Sequence, residues 1–432
     1  MPEKRFLSVN EAWTQIIEDY DIVNEVEKNG IFKITANEIK KYKEPRLMAK
    51  WDSSESLPSA LKKRNLNILP DSRGSYVIGK FNLYEEVPEL DDKVENMTSV
   101  TIPDYETIDI KNIGSESNAI NILVLSGILD DFLGTKNSAE TFNGRMGTGK
   151  FEYDVETTDG NTIHIDVDRA QCEIDGGFEN EDSVIILEAK NVVHPDFHIR
   201  QLYYPYRLWK ERVTKPIRLV FAVYSNKIFR LYEYQFKDYN DYSSIDLMHK
   251  KSYSLEETSI TLNNLKSVRE KTDIITNDNQ EDADVPFPQA DSFERIISLL
   301  ENLQDNPMTP EEIAELMQFE LRQSDYYFNA GKYLGLFEKI NDDGVVVKLT
   351  EDSKPILKLD YKQRQLALVE RLLQHQIFAD LFDYTIKNNN IPEKELIKEL
   401  MQKYNVCNEE VTGRRSQTVS SWVRWMFNLI KL

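Results

Sequence analysis

Seven residues, Val184-Ile-Ile-Leu-Glu-Ala-Lys190, constrain most strongly what this chain can fold into. A short β-branched apolar run bounded by polar residues reads as a strand buried on one or both faces. Side chains alternate along a strand, so Glu188 and Lys190 share one face while Ala189 points to the other. Ahead of it, a strand-like segment from His164 to Ile174 leads into Asp175-Gly-Gly-Phe-Glu179. Gly176 and Gly177 supply the backbone freedom for a tight reversal. The expected hairpin sets Asp175 beside Glu188 and Lys190.

This arrangement suits phosphodiester chemistry. Asp175 and Glu188, joined by the Ala189 carbonyl, can hold a hard cation such as Mg²⁺, which takes oxygen ligands and keeps several waters. Such an ion neutralises a phosphate and acidifies a bound water. Lys190 would orient that water and offset the charge that builds on the phosphate. An isolated Glu-x-Lys is ordinarily a solvated surface pair; the preceding acids, the double glycine and the apolar strand argue for a site.

Asp175 with Glu188-Ala-Lys190 resembles the PD-(D/E)XK nuclease superfamily, and the sequence from 115 to 234 resembles type II restriction endonucleases. Ile174 stands where the family usually has proline, a position that is not a ligand. The resemblance implies an α/β restriction-endonuclease-like core, a mixed sheet flanked by helices, with Mg²⁺ as cofactor. It also implies cleavage to 5′-phosphate and 3′-hydroxyl ends. Glu116 falls where the family's core helix often carries an acid that supports the metal, although the positive end of its helix would suit it equally. Gln201 matches the glutamine that the family places on the helix behind the Glu-x-Lys strand; its alternative is an ordinary surface helix.

Around these residues the elements follow in order. Ser115 to Leu133 carries Ile120, Leu123, Leu129 and Phe132 broadly on one helical side, and two strands at 216–224 and 228–234 are split by Ser-Asn-Lys. His164, Asp166 and Asp168 recur with period two, as a second cation cluster or as solvent-facing, salt-bridged positions.

The net charge of −21 argues against indiscriminate phosphate binding. Its distribution softens this: from Lys190 to Tyr232 nine Lys or Arg face only Asp196 and Glu211, a net of +7. An acidic body with a basic strip fits a specific nuclease better than a scavenging one. Cys172 and Cys407 lack zinc spacing and read as reduced thiols. The charged start Met1-Pro-Glu-Lys-Arg5 is not a signal peptide, and no apolar run approaches a membrane span. A cytoplasmic protein without membrane contact is expected.

Flanking units complete the plan. Residues 1–100 read as an N-terminal domain of helices and a strand pair that resembles a winged helix, for DNA recognition or docking, with Arg46, Lys50, Lys62, Lys63, Arg64 and Arg73 as candidate contacts. The nuclease core takes 101–272 and an exposed acidic linker 273–292. Residues 293–355 resemble a second winged-helix domain with Arg322, Gln323, Ser324 and Asn329 on its recognition helix. Residues 356–432 form a C-terminal helical, winged-helix-like DNA-binding domain whose last helix, begun at Thr412, offers Arg414, Arg415, Gln417 and Arg424. Arg200 and Arg207 are the core's own DNA contacts.

The resulting expectation is a sequence-specific double-stranded DNA endonuclease that restricts foreign DNA, a homodimer by the resemblance and by the symmetry of its target. Two other classes stay open: a structure-dependent DNA repair nuclease and a DNA-binding regulator that does not cut.

Overall fold

The Val184–Lys190 strand is buried along its whole length and lies inside a seven-stranded mixed sheet. The order across the sheet is Val94–Asn96, Ile245–Ser254, Ile228–Phe236, Ile217–Ser225, Val184–Lys190, Gln171–Glu179 and Ala139–Gly147. Val184–Lys190 runs antiparallel to Gln171–Glu179 and parallel to Ile217–Ser225. A parallel neighbour requires a crossover, which the helix Arg200–Lys210 provides. The computed structural model describes residues 7–90, 93–103, 105–110, 113–274, 285–304, 306–341 and 344–432. The charged start at 1–5, the acidic centre of the linker at 277–284 and Asp343 lie outside the described residues.

Strand alternation sorts the side chains into two cores. Ile185, Leu187 and Ala189 join Ala119, Ile122 and Leu123 of the helix Glu116–Leu125 on one face. Ile186 joins Leu202, Tyr203 and Tyr204 of Arg200–Lys210 on the other. Glu188 and Lys190, two and four residues beyond Ile186, therefore sit on the crossover-helix side.

Several elements depart from their local sequence signals. Gly176 and Gly177 do not make the reversal: they lie inside the continuous strand Gln171–Glu179, and the chain turns at 180–183, where the Asn180 side chain accepts from the Asp182 and Ser183 amides. Gly177 is glycine because a Cβ there would come within 2.2 Å of the Phe142 ring. The segment before it is also not one strand. Thr162–Asp168 pairs with Lys150–Glu156 in a separate hairpin, and Arg169, at φ 56°, turns the chain into Gln171–Glu179. The helix begun at Ser115 breaks at Gly127, φ 75°, before a second helix Ile128–Leu133. The turn between Ile217–Ser225 and Ile228–Phe236 takes only Asn226 and Lys227, both in the left-handed region, which matches the twist of the flanking strands.

At the N-terminus, helices Val9–Asp19 and Ile22–Asn29 precede an antiparallel sheet ordered Ile31–Thr35, Ser75–Gly79, Asn67–Pro70. Ile34 lies in the first of these strands, and the short helix Ala36–Ile39 follows it directly. In the C-terminal region, helix Phe293–Asn302 is followed by a bridge from Met308 to Val347, helices Pro310–Leu316 and Leu321–Tyr333, and a hairpin of Phe337–Asn341 with Val345–Leu349. Thr309 caps the second helix with Glu312, and Pro310 opens it.

Five helices follow: Lys354–Leu357, Tyr361–Leu373, Gln376–Asn388, Lys394–Lys403 and Glu409–Asn428. One apolar core runs from Phe293 through Leu368, Phe378 and Trp422 to Leu429, so the chain shows no break in packing at 355–356. The distal part of the expected exposed linker is also packed: Phe287 and Ala290 are buried, and Trp422 donates to the Ala290 carbonyl at 2.8 Å. Among the described residues no helix is long and apolar enough to cross a membrane.

Candidate metal centre and nucleic-acid surfaces

Asp175 sits where its strand leaves the ladder. On one side the last pair is Leu187 with Gly176; on the other, an irregularity carries the register from Phe142–Gly177 to Gly144–Ile174. Its carboxylate is thereby free of the sheet and accepts a 3.0 Å hydrogen bond from the Ala189 amide. One strand over, the Lys190 ammonium donates to Glu188 Oε1 at 2.5 Å. Gln201, in the first turn of the crossover helix, donates to the same oxygen. Both Glu188 and Lys190 are buried. Glu116 starts the helix on the opposite face, and its carboxyl accepts from the Asn191 backbone.

Electrostatics tie the group together. Burial pushes the Glu188 carboxyl well above its ordinary range; Lys190 opposes this, and Asp175 and Asp52 add to it. Burial raises Glu116 as well, with Lys190 opposing and Asp175 reinforcing. Burial alone would lower Lys190, but Glu188, Glu116, Asp52 and Asp175 together hold it above its usual value. Four carboxyl groups thus act on one ammonium, and a bound cation would favour the ionised form of each. Gln201 Oε1 and Asp52 Oδ1 are buried without a hydrogen-bond partner among the described residues. A set of hard oxygen donors with unspent acceptors fits Mg²⁺.

Asp52 escaped the sequence reading. It belongs to a loop at 50–55 that reaches from the N-terminal unit to the core, and its side chain is only 10% exposed. Its Oδ2 lies 3.6 Å from Lys50 Nζ, and its Oδ1 lies 4.0 Å from Arg200 Nη2. Burial opposes its ionisation, yet Lys190, Lys50 and Arg200 hold its carboxyl below the usual range. The loop is fastened on both sides. Ser53 Oγ and the Ser54 amide donate to Asp196 at 2.7 and 2.8 Å, and Glu55 accepts from Arg295 at 2.5 Å. Nothing in the spacing of Lys-Trp-Asp-Ser-Ser-Glu relates it to residues 175–201; only tertiary contact does.

The candidate DNA contacts separate by exposure. Arg73, Arg322, Arg414, Gln417 and Arg424 are exposed and Gln323 is half-buried. Arg322 and Arg414 come from different helices but both lie over the Tyr326 ring, at 5.7 and 5.3 Å. Arg200 is mostly covered and faces Asp52. Two expected surface contacts are interior. Arg207 is buried over Tyr239 and donates to the Glu152 carbonyl and the Tyr203 hydroxyl, both at 2.9 Å. Arg415 is buried too; the Gln289 carbonyl, oriented by its hydrogen bonds, accepts from its Nε and Nη2 at 3.1 Å.

The basic strip from Lys190 to Tyr232 is likewise largely internal. Lys215 pairs with Glu179, Arg218 with Glu233, Lys227 with Glu256 and Arg230 with Glu294. Lys210 and Arg212 remain exposed. His164 lies near Glu152 and Asp166 in an exposed group of possible cation ligands, but it already pairs with Asp154 at 2.8 Å, and Asp168 instead pairs with Lys150 and Arg169. Cys172 and Cys407 are both free and buried.

Three family models match the chain, each described only as a domain of unknown function: DUF6996 over residues 10–78, DUF6997 over 79–254 and DUF7226 over 295–431. The four core candidates Glu116, Asp175, Glu188 and Lys190 fall in the second, with Gln201, whereas Asp52 falls in the first. No curated protein and no solved structure matches.

Proposed function

We propose that the chain is a sequence-specific, Mg²⁺-dependent endonuclease of double-stranded DNA, built on a restriction-endonuclease-like core and acting in restriction of foreign DNA. One observation carries this reading: Asp175, released from the ladder, meets Glu188 and Lys190 at the Ala189 amide, with Gln201 on Glu188 and Glu116 beside them. The resemblance of Asp175 and Glu188-Ala-Lys190 to the PD-(D/E)XK pattern agrees with it.

Asp175, Glu188 and the Ala189 carbonyl would hold the cation, with Glu116 as support through water. Bound there, Mg²⁺ would neutralise the scissile phosphate and acidify a water. Lys190, held protonated by its carboxylate neighbours, orients that water and offsets charge on the phosphoryl oxygens. Gln201 fixes the Glu188 carboxylate from behind, as an outer partner does for a ligand.

The helix, bridge, helix, helix, hairpin order at 293–349 supports a winged helix, and the helix pair with a three-stranded sheet at the N-terminus supports a second. Base and phosphate contacts belong to the exposed set: Arg73, Arg322, Gln323, Arg414, Gln417 and Arg424. A homodimer would bring two centres to the two strands of a symmetric target.

Plasmid digestion tests the reading. With Mg²⁺ the purified protein is expected to yield discrete fragments that persist at enzyme excess, and none with EDTA. A smear, or cleavage limited to forks and flaps, would move the function to DNA repair; binding without cleavage over a diverse substrate set would move it to regulation.

A further inference from the structure

The strands Lys150–Glu156 and Thr162–Asp168 pair only with each other, outside the seven-stranded sheet that holds Asp175 and Glu188. Alternation along both turns Tyr153, Val155, Ile165 and Val167 inward, where all four are buried. The outward face carries Glu152, Asp154, His164 and Asp166. The register sets Glu152 directly opposite Asp166, and Asp154 directly opposite His164.

Like charges at directly opposed positions destabilise a strand pair. Among the described residues neither Glu152 nor Asp166 pairs with a lysine or arginine, whereas Asp168, the next outward residue after Asp166, pairs with Lys150 at 3.6 Å and Arg169 at 2.9 Å. A cation held between Glu152 and Asp166 would remove the cost of their opposition.

The imidazole decides which cation. His164 Nδ1 lies 2.8 Å from Asp154 Oδ1. A carboxylate only accepts, so Nδ1 carries the proton, and the neutral ring then presents its lone pair at Nε2. Nε2 is 3.7 Å from Glu152 Oε2. One donor atom each from Glu152, His164 and Asp166 lies within 4.8 Å of the other two, and all three residues are exposed. Small side-chain rotations would close them onto an ion with bonds of about 2.0–2.2 Å. Asp154 stands behind the ring as the outer carboxylate that fixes the tautomer and direction of a metal-bound histidine. Mg²⁺ and Ca²⁺ take oxygen ligands, whereas an imidazole nitrogen favours a first-row transition ion.

We propose that Glu152, His164 and Asp166 form a second metal site, for a divalent transition ion such as Zn²⁺, which clips the two strands of this hairpin together with water completing its coordination. The site is separate from the Asp175–Glu188–Lys190 centre and does not depend on the reading of that centre.

Calorimetry with Zn²⁺ and the visible absorption of added Co²⁺, both on the full-length protein, test it. One equivalent of Zn²⁺ is expected to disappear in His164→Gln and to persist in Glu188→Gln, which alters only the core centre. Asp154→Asn should weaken that equivalent about tenfold or more, as loss of an outer partner does. The His164 and Asp154 side chains are 53% and 50% exposed, so both variants should keep the fold. Identical Zn²⁺ binding by folded His164→Gln, failure of this equivalent to saturate below about 1 mM, or its displacement by equimolar Mg²⁺ would overturn the proposal.

Discussion

The Asp175 carboxylate is fastened to the Ala189 amide at 3.0 Å, so an acid from one strand is fixed between Glu188 and Lys190 of the next. Its position depends on backbone atoms that no side-chain replacement at 188 or 190 removes, which makes those two residues separable by mutation.

Glu188→Gln should stop cleavage and yet hold or raise the Tm of the metal-free protein. Burial lifts this carboxyl well above its ordinary range. A group whose folded pKa is raised above its unfolded value as an acid loses stability once the pH exceeds the unfolded pKa, and a neutral amide avoids that loss. Parallel melting curves at pH 7.5 and plasmid assays check it; a Tm drop of many degrees would contradict the electrostatic account.

Lys190→Met should act in the opposite sense on stability. It leaves four carboxylates without their central ammonium, so Tm falls in the absence of divalent ions and recovers when Mg²⁺ is added. Cleavage should drop roughly 10²–10³-fold, the range for losing one preorganised transition-state donor, while specific DNA binding survives. Wild-type turnover would remove Lys190 from the chemistry.

Asp52→Asn tests whether the N-terminal unit takes part in the centre. Its carboxylate faces Arg200 and helps hold Lys190 charged. Cleavage should fall roughly 10–100-fold, as for an outer partner of a ligand, with little change in DNA affinity. Single-turnover rates beside equilibrium binding separate the two effects; equal rates would make Asp52 purely structural.

Neighbouring arginines should diverge. Arg414→Ala removes an exposed guanidinium over Tyr326 and is expected to weaken DNA binding and to reduce its salt slope by about 1. Arg415→Ala deletes a buried group and is expected to lower Tm first. Salt titrations of DNA affinity and melting curves for both variants decide; the reverse pattern would reassign the surface.

Acid sensitivity should trace partly to His198. Burial first, and then Arg200, lower its pKa to about 3, against Asp52. Its Nδ1 accepts from the Arg200 amide at 3.2 Å and lies 3.1 Å from the Tyr242 hydroxyl, which fixes the neutral ring. For a histidine whose folded pKa is depressed, stability is complete above the unfolded value near 6.5 and is lost as pH falls toward 3. At pH 4.5 this one group should account for about 2–3 kcal/mol. Urea unfolding of wild type and His198→Gln across that window measures the difference; parallel pH profiles would refute it.

Much of the core could be read locally because its signals are local. The apolar run before Glu188 is long enough for a strand but too short for a helix, and Asn226-Lys227 can adopt the left-handed turn that its strands demand. The glycine pair misled for a physical reason. Gly-Gly is a strong turn signal on its own, whereas the demand on Gly177 comes from the Phe142 ring on an adjacent strand. Charge misled similarly: counting Lys and Arg over a window says nothing of Glu233, Glu256 and Glu294, which neutralise Arg218, Lys227 and Arg230 from outside it. Arg414 and Arg415 are chemically alike, and only the helix phase of the packed Glu409–Asn428 decides which one meets water.

The loop at 50–55 limits how this protein can be rebuilt. Because Ser53 and Ser54 grip Asp196 while Glu55 grips Arg295, grafting a foreign front end at the 78–79 seam would take Asp52 away from Lys190 and unhook the rear helices in the same stroke. A chimera of such chains would have to carry those six positions across with the core that receives them.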